Sequence, residues 1–122
     1  MILVDTSVWI DHLRQGNEVL AGFLSEAFVL VHPFITGELA CGNLKNRTEL
    51  LRYLNALPSA TVASNEEVMH LIEDRKLAGC GIGWVDAHLL ASALLSNGIF
   101  WTADERLRRA GEQASVKLYS GR

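Results

Sequence analysis

The chain opens Met1-Ile2-Leu3-Val4-Asp5, an apolar run without polar alternation that stops at a carboxylate and then two hydroxyls, Thr6 and Ser7. Consecutive strand-forming residues with no period of two need cover on both faces, the habit of a central strand in a parallel sheet. Cover on both faces means a layer of helices on each side, so this run predicts an α/β fold. It also puts Asp5 at the carboxyl end of an inner strand, where open α/β sheets place their ligands.

The rest of the chain supplies those layers. Val8, Trp9 and Leu13 are spaced for a helix from Thr6 to about Arg14, with Asp5, Thr6 or Ser7 available as its cap. Gly16-Asn17 breaks it, and Val19-Leu20 with Phe23-Leu24 mark a second short helix. Phe28-Val29-Leu30-Val31 reads as another continuous strand. Pro33 then suits the first turn of a helix running to about Asn43. A further helix is expected from Arg47 to Ala56, with Leu50, Leu51, Leu54 and Leu57 inward. After Pro58-Ser59 comes a short extended piece around residues 60–63, then a capping box, Ser64-Asn65-Glu66-Glu67. Gly79-Cys80-Gly81-Ile82-Gly83 reads as a flexible loop on the rim of a cleft, opening into a strongly apolar helix from Trp84 to about Leu95. Asn97-Gly98 stops that helix, Ile99-Phe100-Trp101 forms a strand, and Asp104 opens a last helix expected to end at Gly111. Val116 to Tyr119 closes the chain. Short strands alternate with helices and no hairpin signal occurs, which argues for a parallel sheet joined by right-handed crossovers.

With 122 residues and only two prolines, the chain reads as one domain over 1–122. A net charge of −3 does not advertise a nucleic-acid binder, yet affinity for phosphate depends on where the cations lie. Lys45, Arg47 and Arg52 follow Glu38, while Arg106, Arg108 and Arg109 follow Asp104; solvated helix faces would explain both groups almost equally well. Cys41 and Cys80 form no CxxC pair, which points to reduced thiols in a cytoplasmic protein rather than to a disulfide or zinc framework. Neither an export signal nor an apolar stretch of membrane-spanning length is visible.

Four acids, Asp5, Glu38, Asp86 and Asp104, fall at strand ends or in first turns of helices. Projected at about 100° per residue, Asp86 lies opposite a polar stripe of His88 and Ser92, among the apolar positions of its helix. A carboxylate there is costly unless it is paired or holds a cation, although capping of the helix would also account for it. Glu38 projects between Phe34 and Ile35, with a solvated face as the alternative; Asp104 and Asp5 equally have capping as theirs. Their convergence is the stronger argument. Clustered carboxylates raise one another's pKa, and no Lys or Arg lies beside Asp5, Glu38 or Asp86 in sequence. A divalent ion is the economical partner, and an all-oxygen ligand set suits Mg²⁺ or Mn²⁺. Such an ion can activate water and clamp the oxygens of a phosphoryl displacement. Thr6 and Thr102 offer hydroxyls to hold a ligand or orient water, with capping open to each. His88 is expected to face solvent without a role, and Trp9, Trp84 and Trp101 to lie in the core.

Met1-Ile2-Leu3-Val4-Asp5-Thr6-Ser7, Thr36-Gly37-Glu38-Leu39, Trp84-Val85-Asp86-Ala87 and Trp101-Thr102-Ala103-Asp104 resemble, in order and spacing, the four motifs of PIN domains. The chain is most similar to the small ribonuclease toxins of VapBC toxin–antitoxin pairs. That resemblance implies a three-layer α/β/α fold around a parallel sheet and Mg²⁺- or Mn²⁺-dependent endonucleolytic cleavage of RNA. It implies inhibition by a VapB-type antitoxin and formation of a homodimer. Residue by residue, Asp5, Glu38, Asp86 and Asp104 match the catalytic acids, Asp5, Asp86 and Asp104 the metal-holding ones, and Thr6 and Thr102 the hydroxyl positions. His88 departs from the pattern, standing where an apolar residue is more usual. Three other readings remain: a PIN nuclease of RNA processing that is no toxin, a non-catalytic binding module whose acids merely cap helices, and a phosphate-handling α/β domain. The last requires a nucleophilic aspartate with a late lysine after a strand, and no such lysine is present.

Overall fold

The N-terminal apolar run becomes the middle strand of a three-stranded parallel sheet. The computed structural model describes residues 1–120. β1 (Ile2–Val4) lies between β2 (Val29–Leu30) and β3 (Ile99–Trp101). Ile2 pairs with Val29 on one side and Ile99 on the other, and Val4 reaches Trp101. Ile2, Leu3 and Val4 are fully buried, as an inner strand covered on both faces must be. Short parallel bridges, Val31 to Ser59 and Phe100 to Leu118, extend the sheet at its margins. The first bridge falls just before the extended piece expected around residues 60–63, and the second within the closing segment 116–119.

Around the sheet are α1 (Thr6–Gln15), α2 (Glu18–Ser25), α3 (Pro33–Ala40), α4 (Arg47–Ala56), α5 (Asn65–Asp74), α6 (Trp84–Leu95) and α7 (Glu105–Gln113). The arrangement is a three-layer α/β/α fold, as the opening run predicts. Its local signals hold at several starts: Pro33 stands in the first turn of α3, and the Ser64–Glu67 capping box opens α5 with both reciprocal hydrogen bonds. Asn17 caps α2 by accepting from the amides of Val19 and Leu20. No helix among the described residues is long and apolar enough to cross a membrane.

Five expectations are corrected. α3 ends at Ala40 rather than Asn43, because the Arg47 guanidinium donates to the carbonyls of Ala40 and Gly42 and satisfies the helix end early. α7 runs through Gly111 to Gln113; the glycine serves packing, since a Cβ on it would lie 2.9 Å from Leu118 Cδ2. His88 is buried rather than solvent-facing, and Ser92, which shares its polar stripe, is buried too. Ser92 Oγ accepts from the amide of Ala63 at 3.4 Å and Ser96 Oγ from that of Thr61 at 2.9 Å, so this side of α6 meets the extended segment before α5. In α4 only Leu54 is fully buried, with Leu50, Leu51 and Leu57 packed at the core's edge. Trp9 and Trp101 lie in the core as expected, but Trp84 is 43% exposed.

These burials predict an asymmetric response along α4. Leu54→Ala should cost about 2–5 kcal/mol, a buried leucine truncated to leave a cavity, and Leu51→Ala distinctly less. Urea unfolding of the two variants checks this; equal costs would contradict the packing described.

Candidate active site

Asp5 leaves β1 at its carboxyl end and is 6% exposed, with its amide donating to the Trp101 carbonyl at 2.8 Å and so prolonging the ladder with β3. It stands at the N-cap of α1 but makes no side-chain capping bond. Its Oδ2 instead accepts from Ser7 Oγ and Thr102 Oγ1, each at 2.8 Å. Ser7 Oγ also accepts from the amide of Ala103, and Thr102 Oγ1 from that of Asp104. The two hydroxyls thus bind the end of β1 to the turn after β3. Ser7 was visible in sequence only as a possible cap, because a hydroxyl beside an acid has no periodicity to betray a partner across the sheet.

The other acids arrive from three helices. Glu38, exposed on α3, accepts from Thr6 Oγ1 through Oε1 at 2.7 Å, a bond spanning α1 and α3. Asp86, half-buried in the first turn of α6, accepts from the amide of Gly83 through Oδ2 at 3.2 Å. Asp104 caps α7, its Oδ1 accepting from the amides of Arg106 and Leu107. Capping therefore describes Asp104 fully and Asp86 in part, and it does not describe Asp5.

The charges meet at Asp86. Its carboxyl pKa is raised, first by burial, against the opposing hydrogen bond from Gly83, and then by repulsion from Asp5, Asp104 and Glu38. All the acids singled out in sequence therefore press on one point. No cation relieves them: the only ion pair among the described residues joins Arg75 to Asp74, on and just beyond α5. As they stand, no three His, Cys, Asp or Glu among the described residues are close enough to hold an ion. The donor set nonetheless fits a hard cation. Each carboxylate spends one oxygen on the hydrogen bonds above, and among the described residues the second oxygen of each accepts none.

The expected basic flanks are only partly free. Arg47, Arg108 and Arg109 donate to backbone carbonyls. The Arg106 side chain lies across Gly81, where an added Cβ would be 3.1 Å from its Cδ, and Gly81 itself has φ +81°. This contact joins the loop before Asp86 to the first turn after Asp104. A separate groove of about 590 Å³ lies behind Ser7 and Thr102, lined by Arg14 and Arg108 among others, and none of the four acids borders it.

The family model for the PIN domain matches residues 2–113. The chain belongs to the PIN-domain family. It is 43% identical over 119 residues to Ribonuclease VapC32 of Mycobacterium tuberculosis, in both the CDC 1551 / Oshkosh and H37Rv strains, covering 97% of this chain and 96% of the relative. Two solved structures share the PIN fold: FitAcB from Neisseria gonorrhoeae, with a TM-score of 0.70 at 22% identity over 98% of this chain and 97% of that one, and FitAB bound to an IR36 DNA fragment, at 0.67, 21%, 98% and 94%. The order of the acids along this PIN domain is that of its elements: β1 end, α3, α6 start and α7 cap.

The raised pKa of Asp86 has a consequence for stability. The folded state holds the Asp86 proton above the pH at which the unfolded chain, with its ordinary value of 3.8, has released it. Stability of the metal-free protein should therefore fall as pH rises from about 4 through the folded-state value, as far as this group is concerned. Asp86→Asn, which keeps an acceptor for Gly83 and removes the charge, should raise the melting temperature in chelator at pH 7.5 by a few degrees and lose that advantage below pH 4. Calorimetric melts of both proteins check the sign.

Proposed function

We propose that this PIN domain is a Mg²⁺- or Mn²⁺-dependent endoribonuclease, the toxin of a type II toxin–antitoxin pair, held inactive by a VapB-type antitoxin and working as a cytoplasmic homodimer. One observation carries the chemistry: repulsion from Asp5, Asp104 and Glu38 falls on Asp86, and among the described residues no Lys or Arg forms an ion pair with these acids. The likeness to a protein named Ribonuclease VapC32, over nearly the full length of both chains, supports RNA as the substrate and the toxin role.

Asp5, Asp86 and Asp104 would hold the ion through the oxygens that accept no protein hydrogen bond, directly or through water. When bound, the ion supplies Lewis acidity toward a phosphodiester and lowers the pKa of a bound water. Ser7 and Thr102 orient Asp5, and Thr6 orients Glu38. Glu38, exposed beside Thr6, positions the attacking water and accepts its proton. Arg106, its stem laid on Gly81, offers a guanidinium to the RNA backbone. A phosphotransfer domain is disfavoured, since its nucleophilic aspartate would need a cation and no described Lys or Arg pairs with Asp5.

Cleavage of labelled tRNA and rRNA in Mg²⁺, Mn²⁺ or chelator tests this reading. Asp5→Asn should reduce metal-dependent cleavage by at least about 100-fold while leaving the circular dichroism unchanged, as loss of an ion-orienting group commonly does. Cleavage that survives chelation, or no cleavage at all, would sink the proposal. Arg106→Ala should raise KM several-fold with kcat nearly unchanged. It should also flatten the dependence of log affinity on log salt by about 0.7, the share of one phosphate contact on a single strand. An unchanged salt slope would remove Arg106 from the RNA path.

A further inference from the structure

Trp84 is the one tryptophan outside the core. Trp9 and Trp101 are 1% and 5% exposed, whereas Trp84, the first residue of α6, is 43% exposed. A single exposed apolar side chain needs no explanation by itself. This one, however, is held in place. Its ring meets that of His88, one turn along α6, edge to face at a centroid distance of 4.7 Å and 82°. His88 is buried, and its ring meets Phe34 of α3 at 4.9 Å and 67°. The indole therefore ends a row of three rings that spans α3 and α6, and it enters solvent already oriented.

Its position relates it to the acids. The Asp86 carboxylate folds back to the amide of Gly83, 3.2 Å away, and so lies against the residue from which Trp84 follows. Trp84 and Asp86 leave the same end of α6 on opposite sides of its axis, about 200° apart. A Cβ added to Gly83 would meet nothing within 4 Å, so nothing crowds the approach just before the indole. Two residues earlier, the Arg106 stem lies across Gly81, with Cδ 3.1 Å from where a Cβ would stand. An oriented aromatic ring and a guanidinium thus flank one glycine-rich loop, each two residues from an acid of the site, Asp86 and Asp104. Single-stranded nucleic acid is held by that combination, cations on the backbone and flat faces under the bases.

We infer that Trp84 is a stacking platform for an unpaired base of the RNA, on a nucleotide flanking the phosphate that is cut; this rests on the ribonuclease reading. An indole already fixed by neighbouring rings loses little freedom when a base covers it, so more of the stacking energy goes to binding. Every base has a flat face, so Trp84 contributes affinity and a demand for single-stranded RNA, and leaves base identity to other groups. A protein partner is the weaker match. The glycines before the indole supply no apolar rim of the kind that surrounds a protein hot spot, and the neighbouring charge is a guanidinium suited to phosphate.

Asp5→Asn protein in Mg²⁺, in which cleavage is slow, allows binding to be read by itself. A ten-nucleotide oligoadenylate should quench the solvent-exposed tryptophan emission, and an abasic strand with the same phosphates should not. In the same background Trp84→Ala should abolish the quenching. It should also weaken binding, read by anisotropy of an end-labelled strand, by about 5- to 100-fold, the worth of one stacked base. Trp84→Phe should lose the emission yet bind within a few-fold of the parent. Equal affinity for the abasic strand and oligoadenylate, or Trp84→Ala binding within twofold of the parent, would overturn the inference. So would emission from RNA-free protein that shifts with protein concentration, which would place the indole between two copies of this chain. The abasic comparison changes nothing at Trp84, so a folding failure in either variant leaves it decisive. If the wild-type chain cleaves RNA and Trp84→Ala cleaves it with unchanged KM, the stacking role alone fails. If no RNA is cleaved while oligoadenylate still quenches and the abasic strand does not, the ribonuclease reading fails and stacking stands.

Discussion

Repulsion among carboxylates at the carboxyl edge of a parallel sheet is the constraint on which the rest of this PIN domain depends. Four acids from four elements press toward one place, and no ion pair among the described residues relieves them. Their tolerance comes from hydrogen bonds and helix ends. Asp5 is held by two hydroxyls, Glu38 by one, Asp86 by a backbone amide, and Asp104 by two amides of its own helix. Three of the four sit at helix starts, where each N-terminus carries roughly half a positive charge. Those three ends offset less than half of the carboxylate charge. The remainder is uncompensated negative charge, and the reason the proposed nuclease chemistry suits this edge.

The sheet makes the convergence possible because β1 is central. Neighbours on both sides, β2 and β3, deliver α3 and α7 to the same edge from opposite flanks, and α6 enters with its first turn toward them. This is the switch-point geometry of open parallel sheets, in which connections leave the middle strand in both directions and open a crevice between them. A strand one position further out would bring Asp5 to a margin, with helices on one side only. The unalternating run Ile2–Val4, buried on both faces, is what forbids that.

Legibility in the sequence followed the range of the forces involved. Periodicity and caps are local, so the strands, the α5 capping box and the Pro33 start were readable, and the positions of Asp5, Asp86 and Asp104 at element ends followed from them. Contacts across the chain were not. Arg47 closing α3, Leu118 packing on Gly111, and Ala63 and Thr61 donating to the serines of α6 depend on segments far apart, and each displaced a local expectation. Glu38 projected among apolar residues yet is exposed, because α3 turns Ile35 and Leu39 to the core and leaves Glu38 on the side that meets Thr6. His88 misled for a related reason. Its helix is buried almost all round, so a polar side chain marked no solvent face.

That buried helix explains why polar groups of α6 matter more than their number suggests. In a low-dielectric setting an unmatched donor or acceptor costs about 1–3 kcal/mol, comparable to the net value of a hydrogen bond or greater. Ser92 and the C-capping Ser96 accept from the segment entering α5, and His88 Nε2 meets Asn65 Oδ1, so α6 and α5 have one register that makes all three contacts. Leucine and alanine contacts alone would permit small sliding of one helix along the other at little cost, since apolar packing is non-directional. Hydrogen bonds do not permit it, and the first turn of α6 carries the acid on which all the others press. The polar side of α6 therefore contributes definition more than stability. A shift of an ångström at Asp86 would redistribute the repulsion at the site while leaving the hydrophobic core almost unchanged.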